Sequence, residues 1–181
     1  MIDGPTDDET KELRRQCNDD LDGCDMNTVV TYMLDTNIFN HVLDGKISML
    51  SLDGRRLLVT DIQRDELAKT KDDARRTALL AQFGAVNPEV MLTASFAFDI
   101  EGAGLDQACW NDGSGLYQKM LARLRQLDPK SKNPMNQERD ILIAETAIKS
   151  GATLVSGDVN LQQVVAEFGG RAIANLPSSR F

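Results

Sequence analysis

From residue 29 onward, short β-branched or aliphatic runs alternate with longer stretches whose apolar side chains recur at helical spacing. VVTYML (29–34) predicts a strand that stops before Asp35, and IFNHVLDG (38–45) a short helix closed by Gly45. RLLVT (56–60) predicts a second strand. Thr60 can cap one long helix over residues 62–83, with Ile62, Leu67, Ala74, Ala78 and Ala81 along its apolar side. VMLTAS (90–95) predicts a weaker third strand. After a Gly/Asp-rich break around Asn111–Gly115, LYQKMLARLRQL (116–127) keeps Leu116, Met120, Leu124 and Leu127 in helical register. PKSKNPMN (129–136) reads as a loop, ERDILIAETAIKSG (138–151) as a helix with a glycine stop, and ATLVS (152–156) as a strand. VNLQQVVAEFG (159–169) predicts a helix and RAIA (171–174) a last edge strand. Strands separated by helices at this rhythm pair in parallel through right-handed crossovers, giving a doubly wound α/β sheet.

Residues 1–28 break this pattern, having almost no aliphatic periodicity. They hold nine acids and three bases, so −6 of the chain's net −8 falls on them and −2 on the remainder of the 181 residues. The expected organisation is an acidic, flexible arm (1–28) ahead of one globular domain (29–181). The longest apolar run is far short of the roughly 20 residues that span a bilayer. The first residues are acidic where a signal peptide would be basic and then apolar, so the expected location is the cytoplasm. Cys17, Cys24 and Cys109 make neither an even count nor a CxxC pair, against a disulfide framework or structural zinc.

The chemistry lies in carboxylates at element ends. Asp35 directly follows the first strand, and Asp158 follows ATLVS after one glycine. Glu66 lies on the helix after the second strand, and Asp140 near the start of the helix that feeds the strand before Asp158. Open parallel sheets bind ligands outside the carboxyl ends of their strands, so these four acids are expected on one rim. Clustered carboxylates repel and raise each other's pKa unless cations neutralise them. An oxygen-only donor set suits Mg²⁺ or Mn²⁺ rather than zinc.

These residues stand in an order that resembles the PIN-domain ribonucleases, particularly the VapC-like toxins of toxin–antitoxin pairs. YMLDTNIFNHVLDG is similar to the family's first strand and helix, with Asp35, Thr36 and Asn37 on its Asp-Thr-Asn signature. LLVTDIQRDEL matches the second-strand segment, with Glu66 on the helical acid. RDILIAETAIKSGATLVSGDVNL resembles the C-terminal block, with Asp140 and Asp158 on its two acids and Ser156 on its Thr/Ser. The resemblance covers about residues 29–175 and implies a PIN-like three-layer α/β/α fold around a central parallel sheet. It implies a metal-dependent endoribonuclease in which Asp35, Glu66, Asp140 and Asp158 are catalytic and hold Mg²⁺ or Mn²⁺. Asn37 and Ser156 would orient a carboxylate or metal-bound water. It further implies an RNA substrate, an antitoxin protein as partner and a homodimer; the short apolar runs add the expectation of no membrane partner. Two features depart from the compact toxin form: the acidic arm, and a longer, Gly/Asp-rich stretch from Thr93 to Asn136.

Other residues carry weaker signals. Lys119, Arg123, Lys130, Lys132 and Arg139 gather near the approach to Asp140, either to bind RNA phosphates or as a solvated face. Trp110 and Tyr117 could stack on bases or pack in a core, and His41 reads as a packing or surface residue. Glu145 points about 140° round the helix from Asp140 and ranks below the four acids. NDDLDG (18–23) resembles the start of a calcium loop, but Val29 stands where the bidentate Glu belongs. Two rival readings are a PIN-like binding module without catalysis and a phosphotransfer domain of receiver or haloacid-dehalogenase type. The dehalogenase pattern wants an Asp where this chain has Asn37, and a receiver wants a Lys beyond Lys149.

Overall fold

A computed structural model of the chain describes residues 30–97, 100, 102–104, 113–129 and 133–177, with the Leu50 side chain excepted. The arm, its calcium-loop resemblance, the three cysteines, Trp110, Lys130 and Lys132 lie outside the described residues. The elements in chain order are β1 (Thr31–Leu34), α1 (Thr36–Leu43), a 3₁₀ turn (Met49–Ser51), β2 (Arg56–Thr60), α2 (Asp61–Ala68), α3 (Asp73–Val86) and β3 (Glu89–Met91). They continue with α4 (Leu116–Leu127), α5 (Pro134–Lys149), β4 (Thr153–Val155), α6 (Val159–Glu167) and β5 (Arg171–Ile173).

The five strands form one parallel sheet in the order β3-β2-β1-β4-β5. Met33 of β1 is level with Leu58 of β2 on one side and Leu154 of β4 on the other. Alternation along the strands divides the core into two layers. Met33, Leu58 and Leu154 face α4, α5 and α6, packing with Met120, Leu124, Ile141 and Val164. Tyr32, Leu34, Leu57, Val59 and Val155 face the other way, onto Ile38, Phe39 and Val42 of α1 and Leu79 of α3. Phe39 and Phe83 meet there with ring centroids 5.2 Å apart. The result is the three-layer α/β/α architecture expected from the sequence. Among the described residues no helix is long and apolar enough to cross a membrane.

Several boundaries differ from the sequence pattern. The single helix expected over residues 62–83 is two helices, broken at Lys69–Asp72. This KTKD stretch offers nothing to bury, and the Asp72 carboxylate caps α3 by accepting the Arg75 backbone N–H at 2.8 Å. Helix α5 starts at Pro134, four residues before Glu138, because proline is already shaped for the first helical position. Helix α1 starts at Thr36 with Asp35 as its N-cap residue. Of residues 90–95, Val90 and Met91 belong to β3, an exposed edge strand, while Thr93 makes only an isolated bridge.

Candidate functional site

The sheet order makes a reversal between β1 and β4: the chain winds outward from β1 through β2 and β3, then crosses back to β4 and β5. A crevice opens at such a point, beyond the carboxyl ends of the two central strands. The sheet's hydrogen bonding continues one residue into this rim. The Asp35 backbone N–H donates to the Val155 carbonyl at 3.0 Å, and the Ser156 N–H to the Ile173 carbonyl at 3.0 Å. Asp35 and Ser156 are therefore positioned by the ladder itself rather than by a loop.

A cleft of about 330 Å³ lies here, lined by Asp35, Thr36, Asn37, Asn40, Glu66, Asn136, Asp140 and Asp158. All four acids singled out in the sequence, drawn from four separate segments, reach it. Asp35 is buried, and its Oδ2 accepts the Ser156 hydroxyl at 2.5 Å. Burial pushes its carboxyl up to about 6, against the lowering pull of Ser156 and the Thr36 backbone, with Glu66 and Asp158 adding repulsion. Asp140 is pushed up to about 8, first by desolvation and then by the charges of Asp35, Glu66 and Asp158, with Arg139 opposing. Asp158 is exposed and caps α6, its Oδ1 accepting the Asn160 and Leu161 N–H groups at 2.8 and 3.1 Å. Glu66 accepts the Thr36 hydroxyl at 2.5 Å and faces Arg139 across 3.7 Å.

The placement of Glu66 depends on a residue the sequence pattern did not single out. Gln63 is fully buried one turn before Glu66, and its Oε1 accepts the Thr60 backbone N–H at 2.9 Å and the Thr60 hydroxyl at 2.6 Å. Its Nε2 donates to the Leu34 carbonyl at 2.8 Å, tying the first turn of α2 to the last residue of β1. Asn40 and Asn136 were also missed, although helical spacing could have found both. Asn40 lies three residues after Asn37, and Asn136 four before Asp140, on the same helix faces. The Asn37 Oδ1 is buried and has no hydrogen-bond partner among the described residues.

The donor set fits a hard divalent cation: four carboxylates and amide oxygens, two of the carboxylates held toward protonation by burial and mutual repulsion. Among the described residues, no three acidic, His or Cys side chains already form a group that could hold an ion. Glu66 is drawn aside by Thr36 and Arg139, and Asp158 by the first turn of α6.

The remaining described sequence candidates do not line the cleft. Arg123 is engaged by Glu167 at 2.6 and 2.9 Å. Glu167 ends α6, roughly 13 Å along the helix from Asp158, so Arg123 stands away from the cleft. Lys119 is exposed, its ammonium donating to the Ser114 carbonyl at 3.1 Å. Arg139 turns toward Glu66. His41 packs beside Gly157, where an added Cβ would lie 3.3 Å from its Cε1. Tyr117 is part-buried against the α4–α5–α6 core layer. Glu145 is buried and paired with Lys149 at 2.8 Å, outside the cleft lining.

No protein-family model matches the sequence, and no curated protein matches it. Solved structures with a similar course of the chain include a domain of a functionally unknown protein from Methanocaldococcus jannaschii DSM 2661. That likeness has 12% identity and a TM-score of 0.41, covering 84% of this chain and 94% of that one. FitAcB from Neisseria gonorrhoeae is similar at 13% identity and a TM-score of 0.39, covering 78% of this chain and 95% of that one. Scores and identities this low assign neither family nor activity.

Proposed function

We propose that the protein is a divalent-metal-dependent endoribonuclease that hydrolyses RNA phosphodiester bonds, and that it serves as the toxin of a toxin–antitoxin pair. The observation that carries the nuclease reading is the meeting of Asp35, Glu66, Asp140 and Asp158 in one cleft at the carboxyl end of the sheet. Burying and clustering carboxylates is costly, and folds retain such an arrangement where a bound cation repays it. Asp35, Glu66, Asp140 and Asp158 would hold Mg²⁺ or Mn²⁺. Bound there, the ion would lower the pKa of a water and offset the charge of the scissile phosphate.

The chain's own residues set up that chemistry. Ser156 orients the Asp35 carboxylate and favours its ionised form. Gln63 fixes the first turn of α2 against β1, so that Glu66, one turn further along α2, reaches the cleft that Asp35 lines. Asn37 lines the same cleft and would orient a carboxylate or a metal-bound water. The toxin role rests on the sequence resemblance, which also supplies the antitoxin partner and the homodimer; of the basic residues expected to grip RNA, Arg123 is engaged by Glu167 and Arg139 faces Glu66, which leaves Lys119 as the described candidate.

Purified protein incubated with single-stranded RNA should cleave it when Mg²⁺ or Mn²⁺ is added, and Asp35→Asn or Asp158→Asn should abolish cleavage. Equal cleavage by mutant and parent overturns the assignment of the site, and no cleavage by the parent leaves a binding module. For the toxin role, expression should arrest growth, and a small protein encoded next to this one should relieve the arrest.

A further inference from the structure

Arg139 immediately precedes Asp140 on α5, but its side chain does not extend into solvent as a phosphate-gripping arginine would. It is 14% exposed, and its Nη1 stands 3.7 Å from Glu66 Oε1. The other end of the guanidinium, Nη2, rests on the Met135 sulfur at 3.6 Å, one turn back along the helix. The opposite carboxylate oxygen of Glu66 is held by the Thr36 hydroxyl, so Glu66 is suspended between a neutral donor from α1 and a cation from α5. A separation of 3.7 Å is beyond hydrogen-bond reach, which makes the Arg139 contact electrostatic and displaceable rather than a bidentate fork. Arginine suits this place because its charge is permanent and weakly hydrated, and so survives partial burial.

We propose that Arg139 is a positioning residue acting as the cleft's internal counter-cation: it holds Glu66 in the metal-free protein, and a divalent ion must displace it from Glu66 to bind. The proposal rests on the reading of the cleft as a metal site. It differs from a phosphate-binding role in the sign of its effect, because removing a competing charge strengthens cation binding whereas removing a phosphate ligand leaves it unchanged.

Mn²⁺ binding measured by calorimetry without nucleic acid tests this on the full chain. Arg139→Gln is expected to bind Mn²⁺ about tenfold more tightly than the parent, the scale of one unit charge removed from a partly exposed site a few Å away. Arg139→Lys keeps the charge and should stay within about twofold of the parent. Equal or weaker binding by Arg139→Gln overturns the inference while leaving the nuclease reading intact. Absence of Mn²⁺ binding by the parent overturns both. Arginine side-chain NMR on the unsubstituted chain decides the matter if Arg139→Gln does not fold. Mg²⁺ should shift the Arg139 guanidinium signals, assigned by their loss in Arg139→Lys, and unchanged signals at saturating Mg²⁺ overturn the proposal.

Discussion

The Ser156 hydroxyl donates to Asp35 Oδ2 at 2.5 Å while accepting the backbone N–H of Asp158 at 3.1 Å, so one buried oxygen couples the acids at the ends of β1 and β4. Replacing it with alanine leaves the Asp35 carboxylate buried without its hydroxyl donor and frees the turn that presents Asp158. Ser156→Ala should lower metal affinity or RNA cleavage by about 10- to 100-fold, as loss of a ligand-orienting hydrogen bond does elsewhere. Ser156→Thr, which keeps the hydroxyl, should recover most of it. Calorimetric metal titration and cleavage rates of the two variants, side by side, check this.

Stability should depend on pH in a direction set by Asp35 and Asp140. Both carboxyls are raised in the folded protein, to about 6 and about 8, above the ordinary carboxylate value near 4 that they regain on unfolding. Between those values the folded chain keeps protons that the unfolded chain has released. Stability is therefore fully present at low pH and is lost as pH rises through 6 and 8. Without divalent ions, Tm followed by circular dichroism should fall from pH 5 to pH 9. Asp140→Asn should flatten the upper part of that decline and raise Tm at pH 9. A Tm that climbs through this window contradicts the burial and mutual repulsion described for the site.

Gln63→Leu keeps the bulk at a fully buried position but removes the partner of the Thr60 N–H, the Thr60 hydroxyl and the Leu34 carbonyl. Three buried polar groups losing this partner should cost about 3–5 kcal/mol, read as a lower midpoint in urea with an unchanged slope. Because the same bonds hold α2 against β1, cleavage should fall further than the stability loss alone accounts for under conditions where the variant is fully folded.

Two glycines should respond to alanine with opposite signs. Gly102 has φ +86°, and a Cβ there would lie 2.6 Å from the Ile62 backbone nitrogen at the start of α2. Gly102→Ala should destabilise by about 2 kcal/mol or more, through the left-handed backbone and a clash that backbone atoms cannot relieve. Gly84 lies inside α3 with nothing within 4 Å of an added Cβ, so Gly84→Ala should gain about 0.5–1 kcal/mol from helix propensity. Denaturant midpoints of the pair measure both effects.

Local signals carried much of the architecture. RLLVT and LYQKMLARLRQL coincide with β2 and α4, because period, length and flanking residues are short-range properties of a chain. The four acids were legible for the same reason: each stands at a recognisable strand end or helix turn. Where competing local signals met, the pattern misled. The helical run after Thr60 hid the break before Asp72, since an aspartate within a polar stretch serves equally as helix residue and helix cap. Gln63 carried no signal and Arg139 read as a phosphate contact or part of a solvated face, and nothing in their spacing marks one as fully buried and the other as turned toward Glu66.

Residue order alone thus specified which segments become strands and helices and which end of each bears a carboxylate. It did not specify that β1 and β4, separated by most of the domain, lie side by side. Strands buried on both faces read as similar apolar runs, and no periodicity records which run pairs with which. That pairing places Asp35 beside Ser156 and Asp158, closes the cleft with Glu66 and Asp140, and brings Arg139 against Glu66. The raised pKa values of Asp35 and Asp140 arise only there, because desolvation and mutual repulsion are properties of groups gathered in space.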